Sequence, residues 1–442
     1  MNRTVYILAL GSLVASVAAA CSASNDGDSF GNDDDDSSSN TSSAAGTGGS
    51  TSSTGEGGGF DPTTVSGSGG STGSGSNCST PFDVDDDGDG FTDNDGDCND
   101  CDANVNPGSV EVIITDPDAM GNIPEPADED CDGTVDNPIP ACDSAYPVTD
   151  TDAYHAAGAI GLCQQATAGD KKWGVLDAKW TRANGSGSAD SLSYGIIPNF
   201  GPNVNAQEGS SMVIISSGYG RRPSDAGSCG TQTCMTSGAG SAPAGFPQDV
   251  PNCTGSTSIN DDVGLDLKVR APKNATGYKY FFKFHSFEFP EWVCTSYNDQ
   301  FIALVNPAPA GSINGNISFD SGNNPVSVNV AFFDVCDPSG KLNYASLCFS
   351  GCPPTPNPYC PAGAGELSGT GFDSWAPAGD AGGTTWLQTQ APITGGDEFT
   401  IRFAIWDTGD SALDSTAVID GFQWIANGGT VAVGTDPVED PK

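Results

Sequence analysis

Beyond residue 172 the apolar side chains fall into short runs set apart by Gly, Pro, Asn and Asp: 173–183, 211–217, 278–289, 299–305, 326–335, 385–390, 398–406 and 416–426. Runs of this length, rich in Val, Ile, Phe, Tyr and Trp, predict β-strands. The run at 398–406 alternates, with Phe399, Ile401, Phe403 and Ile405 on one side, as a strand with one buried face requires. The run YKYFFKFHSFEF at 278–289 is aromatic at both parities, which places it inside a covered sheet rather than at an edge. One short helix is predicted at 152–165, with Thr151 as its cap. Many short strands without a repeating helical period predict an all-β protein: a jelly-roll-like β-sandwich over 143–430, followed by a flexible tail at 431–442.

The first 80 residues read differently. Residues 1–21, MNRTVYILALGSLVASVAAAC, place Arg3 before an apolar core at 5–17 and then Ala18, Ala19 and Ala20. This is the pattern of an export signal and is too short for a membrane span. Two cleavage readings stand. The residues before Cys21 resemble a bacterial lipobox, which would leave Cys21 carrying lipid, although Ala18 sits where that motif usually has Leu. Ala18-x-Ala20 equally suits ordinary signal peptidase. The expected location is an outer-membrane or cell-surface lipoprotein, or a secreted protein if Cys21 is not lipidated. Residues 22–80 are almost wholly Ser, Gly, Thr, Asn and Asp and lack the apolar surface to offset the entropy of ordering. They are expected to be a disordered tether spanning on the order of 40 Å.

Charge narrows the partners. The formal net charge is −42, from 57 acids against 15 bases. That balance excludes nucleic acid, whose phosphates it would repel, and leaves a membrane reachable only through an N-terminal lipid. Residues 83–136 hold nineteen Asp or Glu and no Lys or Arg, so this stretch repels itself open unless cations neutralise it. There are 15 cysteines, far above cytosolic habit. Setting Cys21 aside leaves an even number for disulfides.

The acidic stretch has order. In DVDDDGDGFTDNDGDCNDCD (83–102), registers starting at Asp83 and at Asp85 both match the opening of an EF-hand calcium loop, where alternate carboxylates converge on one ion and Gly permits the turn. Asn94 and Gly96 stand where the closing acid belongs, and no amphipathic helix flanks the loop, so it is EF-like outside an EF-hand. The expected ligands are Asp83, Asp85, Asp87, Asp89, Asp95, Asp97, Asp100 and Asp102, joined by Asp130, Asp132 and Asp136. Oxygen ligands at this density favour Ca²⁺. With no His or Met in 83–112, copper has no ligands here. The acidic module at 81–142 resembles, in four pieces between 83 and 136, the MopE-type metal-binding motif of exported bacterial proteins: D-x-D-x-D-G-D-G-F, G-D-C-x-D, N-P-G-x-x-E-V and D-x-D-C-D-G-x-V-D. That family usually has Cys soon after the E-V pair, where this chain has Ile113 and Ile114. Cys78, Cys98, Cys101 and Cys131 would then supply two bridges of open pairing.

Three later segments resemble the choice-of-anchor L domain, a β-rich module of bacterial surface and secreted proteins. They are F-x-F-P-E-W-V with N-D-Q-F within 280–301, PVSVNVAFF at 325–333, and D-T-G-D-x-x-L-D-S-T-A-V-I-D-G-F-Q-W within 405–424. The chain departs from that family in Cys294, Cys336, Cys348, Cys352 and Cys360 and in a Pro-rich loop at 353–361, which implies a more cross-linked version. Glu288, Glu291, Asn298 and Asp299 cluster around a turn and form a candidate second Ca²⁺ site, although turn hydrogen bonding is favoured. Asp407, Asp410, Asp414 and Asp420 pose the same choice, and turn chemistry is again favoured.

No nucleophile elbow, zinc-binding His pair or P-loop occurs. His155 falls in the predicted helix, and His285 falls mid-strand as a satisfied core imidazole. Glu288 with Glu291 is the one carboxylate pair open to glycosidase chemistry. The expected function is a non-enzymatic, calcium-stabilised surface binding or adhesion module. It would recognise a glycan or protein, with Trp292, Tyr297, Trp375 and Trp386 as aromatic platforms. The alternatives are a structural coat or assembly component and, less favoured, a secreted glycan-active hydrolase.

Overall fold

The computed structural model describes residues 81–114, 123, 125–290, 292–329, 332–337, 360–373, 381–426 and 430–438. The expected export signal, the tether and Cys78 lie outside them, as do Glu291, Cys348, Cys352 and Trp375. No described helix is long and apolar enough to cross a membrane.

Two antiparallel sheets form the sandwich. One runs β1 (Gly174–Thr181), β4 (Ile259–Arg270), β11 (Glu398–Thr408), β6 (Gln300–Asn306) and β7 (Val326–Ser327). The other runs β13 (Gly434–Pro437), β10 (Leu387–Pro392), β5 (Gly277–Ser286), β12 (Ser415–Ile425), β3 (Met212–Ser216) and β2 (Tyr194–Ile197). Beside the C-terminal end of β5, β9 (Gly382–Thr384) pairs with that strand, and β8 (Phe333–Cys336) pairs with β9. The single strand expected at 326–335 is therefore two, because the chain leaves one sheet and enters the other between them. The tail expected at 431–442 is also corrected: Gly434–Pro437 pairs with β10.

Strand β5 lies between β10 and β12, and its aromatics serve two cores. Tyr278, Tyr280 and Phe282 face the opposite sheet, where they meet Phe399, Phe403 and Phe301 at ring-centroid distances of 5.0, 4.9 and 4.7 Å. Phe281, with Phe287 just beyond the strand, belongs to a second cluster on the outer face with Met212, Ile214, Val418 and Phe372. Each such ring, fully buried, contributes roughly 1.5–3 kcal/mol.

The interior strand β4 was not anticipated. Its sequence INDDVGLDLKVR carries Asp and Gly letters that read as turns. The structure buries Asp262 and Asp266 and pairs them across the sheet surface. Arg182 donates its Nε–H to Asp262 (2.8 Å), and Arg402 pairs with Asp266 (2.7 Å).

Helix α1 (Ala153–Ala159) is shorter than expected. It is capped by Asp152, whose carboxylate accepts the Tyr154 N–H at 2.9 Å, in place of Thr151. Its buried face is alanine, which lets it lie close against the sheets. Cys142–Cys163 ties its flank to the end of the acidic segment. The described residues also contain Cys98–Cys131, Cys229–Cys234, Cys253–Cys294 and Cys336–Cys360, and Cys101 is disulfide-bonded.

The acidic module packs directly on the sandwich. The Trp173 indole N–H donates to the Ser109 carbonyl (3.2 Å), the Lys273 N–H donates to the Gly108 carbonyl (2.9 Å), and Lys171 reaches both the Gly90 carbonyl (2.6 Å) and Asp95 (2.7 Å). The ring of Phe91 is buried over Gly108, where a Cβ would stand 2.9 Å from it. The glycine of the N-P-G segment is thus required by packing.

Candidate metal centre in the acidic module

Asp85 closes the first loop on itself. Its Oδ1 accepts the Gly88 N–H (2.7 Å) and its Oδ2 the Gly90 N–H (2.9 Å). Both glycines hold left-handed backbone, φ 84° and 96°, a conformation costly for other residues. Asp87, Asp89 and Asp97 each accept one backbone N–H two residues onward, at 3.1, 2.7 and 2.8 Å. The remaining Oδ2 of each is buried without a hydrogen-bond partner.

One carboxylate oxygen from each of Asp87, Asp89 and Asp97 lies within 4.8 Å of the others, and Asp85, Asp87 and Asp100 form an overlapping group. Burial raises the carboxyl of Asp97 to about 7 and that of Asp87 to about 6; backbone donors oppose the rise and neighbouring carboxylates reinforce it. Convergent, partly orphaned carboxylates with no nitrogen or sulfur among them fit a hard divalent cation such as Ca²⁺.

The second loop repeats the first. Asp128 accepts the Asp132 N–H on Oδ1 (3.1 Å) and the Gly133 N–H on Oδ2 (3.0 Å), the latter as Asp85 does with Gly90, and Gly133 is again left-handed, φ 92°. Glu111 reaches into this loop, its Oε1 accepting the Asp130 N–H (3.2 Å) and its Oε2 the Asp136 N–H (2.7 Å). Two further groups result, Glu111–Asp128–Asp130 and Glu111–Glu129–Asp136. Burial, opposed by the Asp130 N–H, carries the Glu111 carboxyl to about 7. Cys98–Cys131 clips the two loops together.

Of the expected ligands, Asp83, Asp95, Asp102 and Asp132 enter none of these groups. Asp83 is exposed. Asp95 is held by Lys171 at 2.7 Å, and that ammonium keeps its carboxyl below the usual range. Asp102 accepts the backbone and side-chain N–H groups of Asn104 (3.1 and 2.9 Å), and Asp132 those of Thr134 (2.7 Å) and Asn137 (2.8 Å). Sequence reasoning missed Glu111, Asp128 and Glu129. The signal for Asp128 was present, since 128–133 repeats the D-x-D-x-D-G spacing of 85–90.

Elsewhere, Glu288 and Asp299 do meet: the Asp299 N–H approaches Glu288 Oε2 at 3.5 Å, and both are buried. Asn298 turns away, its Oδ1 accepting the Asn329 N–H at 3.2 Å, so it is not part of that pair. Asp410, Asp414 and Asp420 accept backbone N–H groups, those of Ala412, Cys234 and Gly421 among them. Asp407 does not; its buried oxygens face only the Ser217 hydroxyl and neighbouring carboxyls.

His285 is buried beside Phe200 and Phe372, but neither ring nitrogen has a hydrogen-bond partner. It is thus not the satisfied imidazole expected. Burial, reinforced by Lys283, lowers it to about 3, leaving it neutral. Trp386 is no surface platform: it is 4% exposed, with the Lys283 ammonium 5.4 Å from its ring centre. Trp292 and Tyr297 are half-buried and meet edge to face at 5.1 Å.

No curated protein matches this chain. The crystal structure of the K2 cleaved adhesin domain of Lys-gingipain is similar at 11% identity, covering 59% of this chain and 94% of that one with a TM-score of 0.21. At so low a score the fold rests on the strand pairing described above. The choice-of-anchor L domain matches residues 161–422, from the end of helix α1 into strand β12. That match takes in more than half of the chain, which therefore belongs to the choice-of-anchor L family.

Proposed function

We propose that this chain is a non-enzymatic surface or secreted binding protein whose acidic module is held in shape by Ca²⁺. The observation that carries the calcium reading is the convergence of Asp87, Asp89 and Asp97, three partly orphaned carboxylates within 4.8 Å of one another. The two EF-like loops supply oxygen ligands at the low affinity of extracellular modules, a dissociation constant of roughly 10⁻⁴ to 10⁻³ M. Membership of the choice-of-anchor L family is consistent with a surface protein. An anchor at Cys21 would hold it there. The ligand is a protein or a glycan, met by a surface other than Trp386.

The test is retention of the full chain on arrays of glycans and surface proteins, in millimolar calcium and again in chelator. Retention that chelator abolishes, and that Asp89→Asn with Asp97→Asn weakens, supports the reading. Retention indifferent to calcium removes the proposed link between module and binding. No retention at all favours a coat or assembly component. Turnover of chromogenic glycosides, abolished by Glu291→Gln, would make the protein a hydrolase.

A further inference from the structure

Four carboxylates are buried at one end of the sandwich. Glu288 follows β5, Asp299 precedes β6, Asp407 lies near the end of β11 and Asp414 immediately precedes β12; their exposures are 1, 0, 1 and 5%. No Lys or Arg among the described residues forms an ion pair with any of them. Three have some hydrogen bonding. Asp414 accepts the Cys234 N–H (2.9 and 3.1 Å), Asp299 accepts the Thr408 N–H (2.8 Å) and the Ser415 hydroxyl (2.7 Å), and Glu288 has the 3.5 Å approach of the Asp299 N–H. Asp407 is the exception. Both of its oxygens are buried and accept no backbone N–H, and the groups that face them are the Ser217 hydroxyl and the carboxyls of Asp299, Asp414 and Glu288.

We propose that Glu288, Asp299 and Asp407 hold a structural divalent cation of the calcium class, separate from the acidic module and joining the ends of β5, β6 and β11. A buried carboxylate that has no backbone donor and no cationic partner, surrounded by other carboxylates, is strongly unfavourable in its charged form unless a positive charge accompanies it. Burial pushes Asp299 to about 7 against the hydrogen bonds from Ser415 and Thr408, and burial with repulsion from Asp299 pushes Glu288 and Asp407 well above the carboxylate range. That is the electrostatic vacancy a cation would fill. These carboxylates do not place three oxygens within 4.8 Å of one another as the module's do, so binding one ion draws their side chains together, with further oxygens from the hydroxyls of Ser217 and Ser415. Calcium, with six to eight oxygens in flexible geometry, tolerates such a set, whereas magnesium does not. Enclosure makes the ion slow to exchange, and it is acquired as the chain folds.

The rival account is that these carboxyls are simply protonated, and metal counting separates the two. The full chain, produced in calcium, is dialysed against chelator under native conditions and its metal measured by elemental analysis. About one calcium per chain is expected to remain, because the weaker sites of the module empty first. It should leave only after unfolding in chelator. Asp407→Asn should retain none and melt lower. Asp89→Asn with Asp97→Asn should still retain it, which keeps failure of the module's sites distinguishable from failure of this one. A native wild-type protein holding no ion after chelation overturns the proposal, whether or not the variants fold. So does an Asp407→Asn protein that melts at or above the wild-type temperature, as a neutral isostere of a protonated acid would.

Discussion

Asn274, on the sandwich, pairs with the backbone of Val110 as a neighbouring strand would. Its Oδ1 accepts the Val110 N–H at 3.0 Å and its Nδ2 donates to the Val110 carbonyl at 2.7 Å, with both residues buried. One amide side chain thus satisfies both polar groups of a module residue that is shut away from water. Asn274→Ala orphans them and is expected to cost about 1–3 kcal/mol. Thermal unfolding would register that loss, and calcium titration a weaker module. Unchanged melting would mean that the pair does not secure the docking.

The disulfide Cys98–Cys131 joins the two acidic loops across 33 residues of sequence. Closing a loop of that length stabilises the folded state by about 3–4 kcal/mol in the chain-entropy account. Replacing both cysteines by Ser should loosen the module and raise the calcium concentration it needs, while the sandwich keeps its own transition. Calorimetry with and without calcium separates the two effects.

Phe282 is fully buried between the sheets, stacked on Phe301 at 4.7 Å. Phe282→Ala leaves a cavity that the surrounding strands cannot close and should cost about 3–5 kcal/mol. Denaturant unfolding measures it; a loss below about 1 kcal/mol would place this ring outside the principal core.

Asp420 supplies a pH dependence with a definite sign. It accepts the N–H groups of Gln207, Glu208 (3.2 Å) and Gly421 (2.7 Å), yet burial carries its carboxyl to about 7. In an unfolded chain an Asp ionises near about 4. The folded protein therefore holds this proton more tightly, and the stability it contributes is complete below about 4 and lost as the pH rises through about 7. Asp420→Asn should remove up to about 4 kcal/mol of that pH-dependent change between acidic and mildly alkaline buffer. Parallel stability–pH curves for the variant and the parent would exclude the assignment.

Legibility in the sequence followed the range of the interactions. The aromatic strand β5 and the alternating β11 could be read because burial imprints itself on neighbouring letters. Strand β4 could not, because its Asp262 and Asp266 are made tolerable by Arg182 and Arg402, 80 and 136 residues away. The loop at 85–90 was legible because its carboxylates are spaced by the turn itself. Glu111 was not, since only folding brings it against Asp128 and Asp136. The aromatic residue Trp386 looked like a surface platform from its loop-like setting, but the packing of Lys283 over its ring depends on tertiary structure.

The central claim is that the acidic module folds around calcium. Thermal unfolding of the full chain, dialysed against chelator and then restored to millimolar calcium, tests it most directly. The account predicts that the calcium-restored protein melts at a higher temperature and that Asp89→Asn with Asp97→Asn removes most of the gain. Identical melting in chelator and in calcium would contradict it.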